Sequence, residues 1–96
     1  MGTRAEREEY WIARLTALPA MYEPSDEPEK VIIAAMRLLL REVGITEASL
    51  LFREKNRLLW ILELRSRSFD GVIVGSAPTM LSAAGELLAK AEARGA

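Results

Sequence analysis

The chain contains no cysteine and no histidine. Without cysteine there is no disulfide framework, no thiolate nucleophile and no thiolate metal site, and that usage fits a reducing compartment. Without histidine the commonest general base and the commonest metal ligand are missing. Long apolar runs are also absent. The longest uncharged stretch, Gly71 to Gly85, is interrupted by Pro78 and falls short of the ~20 apolar residues that a membrane span needs. The charge-dense Met1 to Glu9 has no apolar segment behind it, unlike a secretory leader. These absences lead us to expect a cytoplasmic protein with no cofactor, no metal and no membrane partner.

What is present is an ordinary globular balance: half of the 96 residues are apolar and 28% are charged. A chain of this length is one domain's worth, residues 1–96. The net charge of −1 points to neither nucleic acid nor membrane, but the charges are uneven. Residues 1–30 carry four cations and seven acids, whereas residues 48–67 carry five cations and two acids.

Residues 3–18 read as a helix opened by the capping box Thr3-Arg4-Ala5-Glu6 and stopped by Pro19. Its apolar stripe (Ile12, Leu15 and Leu18, with Trp11 beside it) is narrow, so this N-terminal helix is expected to be peripheral. Residues 19–25 form a linker with two prolines. Ser25 or Asp26 is expected to cap a second helix running to about Val43, with Pro28 in its first turn. Gly44 stands where a left-handed C-terminal cap is wanted, with Ile45 folding back onto the last turn.

Three strands are expected next. Ala48 to Arg53 alternates weakly, and Glu54 to Arg57 is a tight connection in which Asn56 can adopt positive φ. Leu58 to Leu64 is almost continuously apolar, the pattern of a central strand covered on both faces. The third strand is placed at Phe69 to Val74. Ser76 or Ala77 then caps a last helix with Pro78 in its first turn; Met80, Leu81, Ala84, Leu87, Leu88 and Ala91 form its apolar face. Small residues at Ala83, Ala84 and Gly85 allow it to approach the sheet. The predicted fold is therefore α+β: a three-stranded antiparallel meander with two main helices on one face, α-β-β-β-α over residues 26–94, plus the extra N-terminal helix.

Catalysis finds little support. Glu54, Glu63 and Asp70 are the carboxylates near the sheet; Asp70 precedes Gly71 and reads as a turn residue, and Glu63 as an ion-pairing strand residue. Val74 to Thr79 runs from strand to helix but lacks the glycines and lysine of a phosphate cradle. No catalytic residue is assigned. Among the aromatics, Phe52 and Trp60 read as core, and Trp11 and Tyr22 as marks of a contact surface.

Two groups of residues are candidates for binding. Arg53, Lys55 and Arg57 are placed at one hairpin tip, and Arg65 and Arg67 at the opposite end of the central strand. Together they suit an acidic partner surface. Leu59 and Ile61 project to the face opposite Leu58, Trp60, Leu62 and Leu64. They need a cover, either the first helix or a second subunit; with Trp11 they are the candidate self-association residues of a homodimer.

The helix–three strands–helix order over residues 26–94 resembles the double-stranded-RNA-binding domain. In that family a basic Lys-Lys stretch opens the last helix and grips phosphates; here Gly75-Ser76-Ala77-Pro78-Thr79-Met80 offers no cation. The expectation is thus a small non-enzymatic protein–protein interaction module of the regulator, inhibitor or adaptor type, with nucleic-acid binding as the alternative.

Overall fold

The computed structural model describes residues 2–22, 24 and 27–95. The Thr3 hydroxyl accepts from the Glu6 amide at 3.2 Å and opens helix α1, Arg4–Thr16. A single 3-10 turn, Pro19–Tyr22, occupies the first part of the expected linker. Helix α2 covers Pro28–Glu42 with proline in its first turn; the expected cap at Ser25 or Asp26 lies outside the described residues. Gly44 takes φ +82°, and the Ile45 amide donates to the Leu40 carbonyl at 2.9 Å. The same carbonyl also accepts from the Val43 amide at 3.1 Å, and the return of the chain onto the last turn buries Ile45 against the core.

Strands β1 (Ser49–Lys55), β2 (Leu59–Arg65) and β3 (Ile73–Ala77) form an antiparallel sheet in the order β1-β2-β3, followed by helix α3, Met80–Gly95. The α+β class and the α-β-β-β-α order are as expected, with helices on one face of the sheet and α1 as the additional element. β3 begins four residues later than expected. Gly71 takes φ +88°, and the Ser66 hydroxyl donates to the Thr46 carbonyl while accepting from the Ser68 amide. This turn chemistry holds residues 66–72 as a loop. The strand therefore continues through Gly75, Ser76 and Ala77, and the cap of α3 moves to Thr79, whose hydroxyl accepts from the Ser82 amide at 3.1 Å. Pro78 precedes the helix.

The central strand supplies Leu62 and Leu64 to the core, where they meet Met36, Leu39 and Leu40 of α2 and Leu87 and Leu88 of α3. Gly75 brings α3 onto β3: a Cβ there would meet the Ala83 carbonyl and stand 2.9 Å from the Leu87 amide nitrogen.

Helix α1 is not peripheral. Trp11 is 3% exposed and Leu15 fully buried, because α1 lies along α3 and touches α2. Gly85 of α3 permits this approach, since a Cβ there would be 2.5 Å from Ile12 Cγ1. Gly85 thus serves the helix pair rather than the sheet. Two bidentate ion pairs flank the seam. Arg7 grips Glu92 of α3, with Nε donating to Oε1 at 2.8 Å, and Arg14 donates to both carboxylate oxygens of Glu42 of α2 at 2.7 and 2.9 Å.

The hydrogen bonds from Arg7 hold the Glu92 carboxyl below the ordinary carboxylate range, against the opposing effect of its partial burial. A depressed folded-state value means that this contribution to stability is present at neutral pH and is lost as the pH falls below about 4. Urea midpoints of the parent and Glu92→Gln should accordingly differ at pH 7, with the parent more stable, and the difference should shrink as the pH is lowered from about 5 to about 3. A constant difference over that range would show that Glu92 acts only through packing.

Candidate interaction surface

The strand register fixes the two faces of the sheet. Leu50 and Phe52 of β1, Trp60, Leu62 and Leu64 of β2, and Ile73, Gly75 and Ala77 of β3 share the helix-covered face. Phe52 and Trp60 meet edge to face there, 6.1 Å between centroids. The other face carries Ser49, Leu51, Arg53 and Lys55 on β1, Leu59, Ile61, Glu63 and Arg65 on β2, and Val74 and Ser76 on β3. Since α1 packs on the other two helices, it leaves this second face open. The apolar run of β2 is covered on one side only, and Leu59 and Ile61 remain partly exposed.

The open face is a chequered surface. Lys55 stands opposite Leu59, Arg53 opposite Ile61, Leu51 opposite Glu63 and Ser49 opposite Arg65. Leu51 is 56% exposed and joins Leu59, Ile61 and Val74 as its apolar content. Arg53 belongs to the middle of this face and not to the hairpin tip, and it forms an ion pair with the neighbouring strand's Glu63. That pair occupies both groups and leaves Lys55 and Arg65 as the cations at the two ends. Glu54 is exposed on the opposite parity, and the Asp70 carbonyl accepts from Arg94 at 2.7 Å.

The tip itself consists of Asn56, Arg57 and Leu58. Asn56 and Arg57 take φ +56° and +59°, the left-handed pair that a tight hairpin requires and that asparagine and glycine favour. Arg57 is thus held in a conformation that costs a side-chain-bearing residue about 1 kcal/mol. Leu58 is 77% exposed, in the turn rather than on the inner face of the strand. At the far end Arg67 approaches Glu47 at 3.9 Å and is 90% exposed. The five cations do not form one cluster: Lys55 and Arg57 lie at the hairpin end, Arg53 in the centre, and Arg65 and Arg67 at the other end. Trp11, being buried, is withdrawn from the candidate surface residues. Tyr22 is exposed and donates to the Thr16 carbonyl at 2.6 Å.

The two edges of the sheet are treated differently. On β3 the Ser76 amide donates to Glu86 Oε2 at 3.2 Å, and Lys90 Nζ donates to the Val74 carbonyl at 2.8 Å. Glu86 and Lys90 are themselves paired at 2.9 Å. Side chains of α3 therefore stand where another strand would bind. No comparable cap covers β1 among the described residues. Glu86 and Lys90 were not among the predicted binding residues, although their four-residue spacing on α3 is legible in the sequence.

Among the described residues no group of three or more acidic side chains is placed to hold a metal ion, and no helix is long and apolar enough to cross a membrane. The geometry defines an α+β domain with an open, mixed apolar and basic sheet face. No protein-family model, curated protein or solved structure matches the chain.

Proposed function

We propose that this chain is a small, non-enzymatic, cytoplasmic protein–protein interaction module of the regulator, inhibitor or adaptor type, and that its open sheet face docks an acidic partner and supports self-association. The observation that carries the reading is the face itself: Leu51, Leu59, Ile61 and Val74 uncovered, with Lys55 and Arg57 at one end and Arg65 at the other. Partly exposed apolar residues gathered on one sheet face are a mark of interaction sites, and cations at the rim supply orientation and association rate. Arg57 adds a second argument. Its left-handed backbone is better served by glycine, so an arginine there spends stability on a side chain aimed into solvent.

Arg57→Gly separates binding from folding. It should raise the stability of the fold by about 0.5–1 kcal/mol in urea titration, while reducing capture of the partner from lysate of the native host, more at low salt than at high. Unchanged capture by a stabilised variant would make the hairpin a bystander. The alternative, a nucleic-acid-binding domain, is distinguished by fluorescence anisotropy with a short RNA duplex. Saturable binding with a steep salt slope would favour it, and no binding at physiological salt is expected.

A further inference from the structure

We infer that the bare edge of β1 pairs with β1 of a second copy, in an antiparallel register centred on Leu51, to make one continuous six-stranded sheet. The inference rests on the self-association part of the proposed function and carries it to the β1 border of the open face, where Leu51 belongs both to that face and to the free edge.

The backbone directions follow from the capped edge. The amide of Ser76 and the carbonyl of Val74 point away from β2. Their cross-strand neighbours Ile61 and Glu63 consequently direct their backbone groups toward β1, where they face Arg53 and Leu51. Leu50, Phe52 and Glu54 must then turn their amides and carbonyls outward at the free edge. Three residues of a seven-residue strand thus present backbone donors and acceptors in a row, a template for another strand.

The side chains select the register. Centred on Leu51, the two copies place Leu51 against Leu51 of the second copy on the open face, and Leu50 against Phe52 of the second copy on the core face. Arg53 faces a serine, Ser49 of the second copy, and Lys55 falls at the end of the strand near Glu47 of the second copy, two residues before its β1 begins. Outward-pointing Leu50 and Phe52 meet as a hydrogen-bonded pair, so backbone and side-chain requirements agree. A register centred on Phe52 would oppose Leu50 to a glutamate and Leu51 to an arginine, and one centred on Arg53 would oppose two arginines across the axis, a destabilising arrangement. Leu51, the one apolar side chain on the open face of β1, is covered in this register by its own symmetry mate.

The absence of cysteine makes the test direct. Directly opposed residues of a non-hydrogen-bonded antiparallel pair have Cα atoms about 4.5 Å apart, within disulfide range. Leu51→Cys should therefore give a covalent dimer on mild oxidation, whereas Arg53→Cys and Ile61→Cys should not. In sedimentation velocity the parent should run as a dimer. Leu51→Lys should run as a monomer at the same concentration with unchanged circular dichroism, which excludes unfolding as the cause. Cross-linking through Ile61→Cys instead would overturn the edge and keep self-association through the open face. A monomeric parent would overturn both, leaving acidic-partner docking to its own test.

Discussion

Replacing Gly75 by alanine should cost the fold about 3 kcal/mol, the upper range for overpacking a core. The added methyl group would meet the Ala83 carbonyl and the Leu87 amide nitrogen, both backbone atoms of α3, as well as Leu87 Cβ at 2.9 Å. A flexible side chain could rotate away, but helix backbone moves only as a body. That body is tied to β3 by Glu86 and Lys90 and is packed on its far side against α1. Gly85→Ala is the informative control. Its methyl group would press on Ile12 Cγ1 at 2.5 Å and stand 3.1 Å from the Glu8 carbonyl oxygen, so its one contact below 2.9 Å is with a side chain rather than with backbone, and alanine gains about 1 kcal/mol of helix propensity over glycine. Urea unfolding should place Gly75→Ala well below Gly85→Ala. Equal midpoints would mean that α3 can lift from the sheet, contrary to the packing described above.

The second large effect concerns α1. Leu15→Ala should destabilise the protein by about 2–5 kcal/mol, as expected for a fully buried leucine. A peripheral helix, the expectation from its narrow stripe, would lose only about 0.5 kcal/mol from the same change. The difference lies in what α1 faces: Leu15 and Trp11 enter the cluster that contains Leu39, Leu87 and Leu88, and Arg7 and Arg14 clamp the seam on either side. The expected observation is one cooperative transition, shifted as a whole, by circular dichroism and by tryptophan fluorescence. Trp11 on α1 and Trp60 on β2 report the two sides of the core. An early, separate loss of helix signal in Leu15→Ala would show that α1 unfolds independently and that the core does not need it.

Much of the fold was legible because local rules operate over a few residues. Thr3 followed by Glu6 marks a helix start, Gly44 and Ile45 mark a helix end, and Asn56 marks a tight turn; each does so through its own backbone chemistry. The misplaced start of β3 has an equally local cause. Phe69 has the character of a strand residue, but the positive φ of Gly71 and the hydrogen bonds of Ser66 interrupt the strand between them. The candidate surface was legible in part. Leu59 and Ile61 were correctly separated from Leu62 and Leu64 by the period of two. Arg53, however, was read with its sequence neighbours Lys55 and Arg57, although its companion is Glu63, ten residues away on the next strand. Leu51 escaped notice because adjacent Leu50 and Leu51 look alike until register assigns one to each face.

The sequence by itself determined the order of helices and strands, that β2 is the central strand, and that apolar residues stand on both of its faces. The tertiary structure alone decided how those faces are used. Periodicity records which residues prefer to leave water, not which neighbour will take them. A small glycine at position 85 draws α1 onto α3 and so leaves the second sheet face open. The same is true of the edges: β1 and β3 are both outer strands by order, but only β3 passes beneath a helix whose Glu86 and Lys90 reach its backbone. Those contacts arise from the distance and angle at which α3 crosses the sheet, which Gly75 sets by letting two backbones touch.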